Sequence, residues 1–327
     1  MKRRLTVAAR SWPLIEPFVT SRAAQTTCEV IVVHLADGSR TGRGEAVGLD
    51  YHGETVASMR AQIDSVRPNI EAGAGRRALL DLLPPGGARN VLDAALWDLE
   101  AKQAGVSAWQ LAGVGPATII TTCVTIGMRS ISDYESRARA LANHPWIKVK
   151  VSADGPLEAI TAVRRGAPEA HLVVDANQAW SVDLLRELSP ALADLRVDLL
   201  EQPIPEQAGA QLANLDIPLP ICADEPANTL ADLPKLIECY DFVNIKLDKS
   251  GGLTAALDFA RAAGGAGLRL MVGCMLGGSL AMAPAMVLAQ LCEIVDLDGP
   301  LLQSQDWPNG IIYRDGMMTP PSSALWG

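Results

Sequence analysis

The sequence predicts an α/β protein: a modified (β/α)8 TIM-like barrel preceded by a smaller α+β module. Three observations predict it. From Ile119 onward, eight short β-branched or apolar runs alternate with helical stretches at intervals of about 22 to 28 residues, the length of one strand, one helix and two short loops. Asp175, Glu201 and Asp224 each stand at or near the C-terminal end of one of those runs. No Gly-rich phosphate loop follows the first run, as an open doubly wound sheet, the competing architecture, would show.

The elements follow in order. Residues 3–14, 26–35 and 41–47 read as three strands of an antiparallel meander, with ADG as a turn signal after the second. Loops are expected at 16–25 (EPFVTSRAAQ) and 48–55 (GLDYHGET). Residues 54–70 and 88–104 read as helices. In the second, apolar residues at 91, 92, 95, 96 and 99 give an amphipathic period, and Gly105 supplies a stop. The module is expected to span residues 1–115 and to end at the linker GVGPAT. The barrel runs are 119–126, 147–151, 171–175, 197–201, 219–224, 242–247, 268–273 and 293–297, within a domain expected at 116–302. The last barrel helix looks modified. The C-terminal stretch from about 303 to 327, beginning QSQDWPNGIIYRDG, reads as hairpin-like and is expected to pack back on the N-terminal module.

Bulk properties narrow the function. The chain has 327 residues, 49% of them hydrophobic, enough for one large domain plus a smaller one. A net charge of −9 argues against nucleic acid or an acidic membrane as partner, since both require basic patches. The six cysteines show no metal-ligand spacing and read as small hydrophobes. Arg10 and Pro13 break the apolar start, so no signal peptide is read, and no uninterrupted apolar run approaches the ~18 residues of a membrane helix. A soluble, cytoplasmic protein is expected, as a monomer or a homo-oligomer.

The strand ends carry the chemistry. Alternate side chains of a barrel strand point inward, and barrel active sites sit at the C-terminal mouth. Asp175, Glu201 and Asp224 fall on the third, fourth and fifth runs, and neighbouring strands lie about 4.8 Å apart. Three acids can therefore converge on one cation. All-oxygen ligation favours Mg2+, with Mn2+ also accommodated. An acid after a strand also serves as a helix N-cap, but three in phase and flanked by lysines argue against that reading. Lys148 and Lys150 are two residues apart, so both point into the barrel from the second run while Ile147, Val149 and Val151 point outward. Lys246 lies on the sixth run, with Asn244 and Asp248 on the same face. The second and sixth strands of an eight-strand ring are diametrically opposed, so Lys150 and Lys246 should approach a substrate from opposite faces. Burial, like charge and a nearby metal are each expected to lower a lysine pKa toward that of a general base. A divalent cation on a substrate carboxylate would stabilise the enediolate formed when the α-proton leaves.

These residues resemble the enolase superfamily, muconate lactonizing enzyme subgroup. The motifs are KVK (148–150), VDANQAW (174–180), LEQP (200–203), ADE (223–225) and NIKLDKSGG (244–252). The resemblance covers nearly the whole chain and makes the N-terminal module the family's capping domain, completed by the C-terminal segment. It implies Mg2+ on Asp175, Glu201 and Asp224, Lys150 and Lys246 as the acid/base pair with Lys148 supporting, and Asn177 and Glu225 near the metal. In this family dipeptide epimerases carry an Asp-x-Asp on the eighth strand that binds the substrate α-ammonium, matched here by Asp296 and Asp298. The Ala-Glu epimerases are expected to pair an arginine of the first capping loop with the glutamyl carboxylate, a place taken by Arg22. The stretch GCMLGGSLAM (273–282) also resembles those enzymes, although Gly277 to Leu280 are smaller and less polar than their counterparts. The resemblance thus implies a Mg2+-dependent epimerase of small dipeptides, most simply L-Ala-D/L-Glu from murein. An N-succinylamino acid racemase, o-succinylbenzoate synthase or cycloisomerase would use the same scaffold. A metal-binding interaction protein would have no use for two opposed inward lysines.

Overall fold

A computed structural model describes residues 3–20 and 24–327. The chain opens with three antiparallel strands in the order β1 (Arg4–Val19), β2 (Ala24–Asp37) and β3 (Arg40–Val47). Most of the loop expected at 16–25 is strand. The β1–β2 pairing lapses after Pro13↔Thr27 and resumes at Phe18↔Gln25 and Val19↔Ala24, so the hairpin runs on toward its tip. Proline has no N–H to give a ladder, and the lapse starts at Pro13.

Helices α1 (Val56–Glu71), α2 (Arg76–Leu82) and α3 (Gly87–Ala104) cover one face of this sheet. Thr55 and Ser58 form a capping box that starts α1, and Gly105 ends α3 in the left-handed region at φ 68°. The short α2 was not expected from the sequence. Val91, Leu92, Ala95, Leu96 and Leu99 of α3 pack on Ile31, Val33 and Leu35 of β2. Gly42 and Gly44 of β3 allow this contact. A Cβ at Gly42 would lie 2.0 Å from the Ala95 carbonyl oxygen, and one at Gly44 would lie 2.2 Å from that of Val91.

Helix α4 (Ala108–Ala112) and the short strand β4 (Ile120–Thr121) lead into the barrel. Its strands are β5 (Val124–Ile126), β6 (Trp146–Lys150), β7 (His171–Asp175), β8 (Leu199–Glu201), β9 (Ile221–Ala223), β10 (Phe242–Lys246), β11 (Arg269–Gly273) and β12 (Ile294–Asp296). They lie side by side in sequence order, all parallel. The seam between β12 and β5 is closed by the Cys123 N–H to the Val295 carbonyl at 2.7 Å and by Leu297 N–H to Thr122 Oγ1 at 2.9 Å. Helices α5 (Ile131–Ala140), α6 (Pro156–Gly166), α7 (Val182–Asp194), α8 (Leu233–Leu236), α9 (Leu247–Ser250), α10 (Leu253–Gly265) and α11 (Ser279–Ala289) connect the strands. A 3-10 segment (Glu206–Asn214) replaces the helix after β8, and a single 3-10 turn (Gly299–Leu302) follows β12, the modified end that the sequence predicts. Among the described residues no helix is long and apolar enough to cross a membrane.

Two expectations change here. The run 119–126 splits, because β4 leaves the barrel to pair with a C-terminal hairpin of β13 (Tyr313–Arg314) and β14 (Met317–Met318). That hairpin therefore packs on β4. It is the flanks of the C-terminal segment that reach the N-terminal module: the Trp326 indole donates to the Ala94 carbonyl at 3.0 Å, and Gly327 N–H to Asp98 Oδ1 at 2.7 Å.

Along the barrel axis the interior changes from apolar to charged. Val173, Leu199, Cys222, Phe242, Met271 and Ile294 fill the lower layer. Two residues further along their strands stand Asp175, Glu201, Asp224, Asn244, Gly273 and Asp296. The fold makes a direct prediction about the module. Gly44→Ala should force β3 and α3 apart at a cost of about 1–3 kcal/mol, the usual penalty of overpacking. A thermal melt would reveal it as a lowered Tm, whereas a wild-type Tm would contradict the close contact.

Candidate active site

The mouth of the barrel opens into a cavity of about 570 Å³ that the N-terminal sheet and its loops close from above. The barrel side of its wall includes Lys148, Lys150, Asp224, Lys246, Asp296 and Asp298. Strand register sets this layer. Lys150 pairs with Asp175, Asp175 with Glu201, and Gly273 with both Lys246 and Asp296. Gly273 leaves the space that Lys246 crosses, since a Cβ there would lie 3.0 Å from the Lys246 Cε and 2.6 Å from the Asn244 Oδ1.

The charges interlock. Lys148 Nζ lies 2.7 Å from Glu201 Oε2, 2.8 Å from Asp296 Oδ2 and 3.1 Å from Asp175 Oδ2. Lys150 Nζ donates to Asp175 Oδ2 at 2.5 Å. Across the barrel, Lys246 Nζ donates to Asp224 Oδ2 at 2.8 Å. Lys249, which sequence reasoning missed, donates to Asp224 Oδ1 at 2.7 Å, to the Asp224 carbonyl, and to the Asn244 carbonyl at 3.2 Å. Asn244 Nδ2 donates to Glu201 Oε1 at 2.9 Å. All of these side chains are buried.

The titration pattern follows from these contacts. Burial pushes the Asp175 carboxyl up, but Lys150 and Lys148 outweigh it and hold the group well below the usual carboxylate range. The same competition, won by Lys246 and Lys249, keeps Asp224 low. Glu201 is raised by burial and by the charge of Asp175. Burial lowers the Lys148 ammonium, yet Asp296, Glu201 and Asp175 overcome this and raise it; Asp224 does the same for Lys246. The expectation that lysines here would be lowered is therefore reversed for these two, because each lies against carboxylates. Lys249 alone among the three is lowered, chiefly by burial.

The loops after the strands are shaped to present these groups. Asn177, Gln178 and Gln202, just past β7 and β8, adopt positive φ of 46°, 70° and 35°. Non-glycine residues rarely hold this conformation, and it concentrates at functional sites. The Asn177 N–H donates to Asp175 Oδ1 at 2.9 Å. Gln202, also missed from the sequence, accepts the Asp224 N–H at 3.0 Å on Oε1 and so ties the end of β8 to the residue after β9. Its signal lay in the LEQP motif. Glu225 lies buried beside Asp224, and its charge acts on Lys249.

Asp296 and Asp298 both line the cavity. Asp298 Oδ2 accepts the Thr125 N–H at 2.6 Å, and its carboxyl is raised by burial and by the charge of Asp296. Asp248 is not on the face expected for it. The chain enters α9 at Leu247, and the Asp248 carboxylate turns to Asn90 Nδ2 at 2.9 Å and the Val47 N–H at 3.2 Å. Arg22 lies outside the described residues; Thr20 and Gln25 near it in the chain line the cavity.

The donor chemistry of the three acids fits a hard divalent cation. All their donors are oxygen, and Glu201 Oε2 is buried with no hydrogen-bond donor, only the Lys148 charge beside it. As they stand, no three acidic, histidine or cysteine side chains among the described residues gather closely enough to cage a metal. The lysines occupy the space between them.

Comparison with known proteins agrees with this geometry. Residues 133–324 match the enolase C-terminal domain-like family, and residues 2–113 match the mandelate racemase / muconate lactonizing enzyme N-terminal domain. The chain is 42% identical over 316 residues to L-Ala-D/L-Glu epimerase of Escherichia coli K12, covering 96% of this chain and 98% of that one. It is 40% identical over 302 residues to an N-acetyl-D-glutamate racemase of Pseudoalteromonas, covering 91% and 95%. Among solved structures it resembles an enolase family member from Agrobacterium tumefaciens with bound sodium and L-Ala-L-Glu, at TM-score 0.97, 38% identity and 99% and 100% coverage. It also resembles the Methylococcus capsulatus dipeptide epimerase complexed with Mg and L-Arg-D-Lys, at TM-score 0.90, 29% identity and 98% and 97% coverage. The chain therefore belongs to the mandelate racemase / muconate lactonizing enzyme family of the enolase superfamily.

Proposed function

We propose that this protein is a Mg2+-dependent dipeptide epimerase that inverts the α-carbon of the C-terminal residue, with L-Ala-D/L-Glu as its substrate in murein peptide metabolism. One observation carries the reading: Lys150 on β6 and Lys246 on β10, four strands apart in an eight-strand barrel, both face one cavity. Asp175, Glu201 and Asp224 would hold Mg2+, which when bound supplies the positive charge that stabilises the two carboxylate oxygens as the α-proton leaves. One lysine takes the α-proton from one face of the substrate, and the other returns a proton to the opposite face. Lys148 keeps Glu201, Asp175 and Asp296 neutralised and separate. Asp296 and Asp298 would receive the substrate ammonium, with Arg22 meeting the glutamyl side chain and Asn177 and Glu225 supporting the metal loops.

The six cysteines are free thiols, which fits a reducing compartment, and we place the enzyme in the cytoplasm. The net charge of −9 argues for a small-molecule partner and against nucleic acid or an anionic membrane surface.

The likeness to an N-acetyl-D-glutamate racemase favours a second reading, in which the amine is acylated. The two readings divide at Asp296 and Asp298, because an acylated amine brings no charge to them.

A library of dipeptides and N-acyl amino acids, incubated with Mg2+ in D2O, tests the proposal. Deuterium should enter the α-position of the C-terminal residue of L-Ala-L-Glu, and chelation of Mg2+ should abolish it. Uptake by N-acyl amino acids alone would overturn the dipeptide reading.

The pH dependence is a separate test. An acid raised to about 7 by burial and a neighbouring charge stays protonated at lower pH, so Asp298 is neutral below that range and anionic above it. Ammonium binding requires the anion. kcat/KM for L-Ala-L-Glu should therefore fall as pH drops through about 7, and this acid limb should be weaker for N-acetylglutamate. An identical limb for both substrates would remove Asp298 from amine recognition.

A further inference from the structure

Glu45 of β3 is a fully buried carboxylate outside the lysine–acid layer. Three uncharged donors from three distant parts of the chain meet on it. Oε1 accepts the Trp12 indole N–H of β1 at 3.0 Å and the Gly278 N–H at 2.7 Å, and Oε2 accepts the Trp307 indole N–H from the C-terminal segment. The Arg10 guanidinium stacks on both indoles, 3.7 Å from the Trp12 ring centre and 4.4 Å from that of Trp307.

The contact with Gly278 is the informative one. Residues 274–278 connect β11 to α11, and Cys274, Met275 and Leu276 line the substrate cavity. Leu276 packs in one apolar cluster with Trp12, Cys28, Val47 and Trp307, and the two tryptophans donate to the carboxylate. A Cβ on Gly278 would lie 3.2 Å from Glu45 Oε1, 3.0 Å from Asp306 Oδ1 and 3.0 Å from Trp307 Cδ1. The absence of a side chain at Gly278 thus admits a carboxylate from the N-terminal sheet. Glu45 itself does not line the cavity.

We propose that Glu45 is a positioning residue for substrate selection, which fixes the 274–278 wall of the cavity from the N-terminal sheet and so governs how the dipeptide is held. The inference rests on the epimerase reading above. It separates binding from proton transfer, because Glu45 touches neither the lysines nor the three acids.

Steady-state kinetics of Glu45→Gln with L-Ala-L-Glu at saturating Mg2+ test it. Glutamine keeps the size but turns an NH2 toward one of the donors. KM should rise about tenfold while kcat stays within about twofold, the signature of lost binding common to ground and transition states. Gly278→Ala should raise KM by a similar factor, and the double variant should be no worse than either single one, since both break one contact. Trp307→Phe removes a single donor, should give a smaller rise, and decides the matter if Glu45→Gln does not fold. Unchanged KM in the folded variants, additive effects in the double variant, or a fall in kcat at constant KM would overturn the proposal. A wild-type enzyme inactive on L-Ala-L-Glu would overturn the epimerase reading, and the inference with it.

Discussion

The mouth of the barrel depends on one constraint: like charges cannot share a buried layer without counter-charges. Asp175, Glu201, Asp224, Asp296 and Asp298 lie buried within one end of the barrel, and Lys148, Lys150, Lys246 and Lys249 lie among them. Removing one partner from such a buried set typically costs about 3–5 kcal/mol, because a charge is left uncompensated. The strands bring these groups to the same height through register, and the lysines keep the acids from repelling one another. The same arrangement makes the site receptive to a divalent cation. Its acids are already ionised or poised to be, and two of them, Asp175 and Asp224, are paired with the two lysines that the reaction needs.

This layer is supported from outside the barrel. Helix α3 of the N-terminal module lays a buried polar edge on the chain that follows β10. Arg89 donates to the Ser250 carbonyl at 2.7 Å and the Gly251 carbonyl at 3.0 Å, and Asp93 accepts the Thr254 N–H at 3.0 Å. Asn90 and the Val47 N–H hold Asp248. These contacts fix the turn that carries Lys249, and Lys249 in turn pins Asp224. At the adjacent strand, Glu45 holds the loop after β11. The module therefore closes the cavity and also steadies two of the loops around it.

Much of this was legible in the sequence because it is local and periodic. The alternation of Lys148 and Lys150 about outward-facing valine and isoleucine, and the recurrence of an acid at the ends of three successive runs, follow from strand geometry alone. The barrel order followed from the same spacing. What escaped was non-local or fell where periodicity stops. Asp248 and Lys249 were misjudged or missed because α9 begins one residue after Lys246, and a helical turn sends them in directions that strand alternation does not give. The raised Lys148 and Lys246 depend on which carboxylate each meets, which spacing does not specify. The strand residues 16–19 and 24–25 read as a loop from the sequence because their proline and polar residues resemble one. Glu45 carried no signal, since its partners lie 33, 233 and 262 residues away.

The central claim is that Lys150 and Lys246 serve opposite faces of one substrate. Solvent deuterium exchange in Lys150→Ala and Lys246→Ala, started separately from L-Ala-L-Glu and L-Ala-D-Glu, tests it most directly. Each variant should lose epimerisation by about 10²–10⁴-fold while still exchanging the α-proton of one epimer, and the two variants should retain opposite epimers. Exchange and epimerisation left intact in both variants would contradict the two-lysine account.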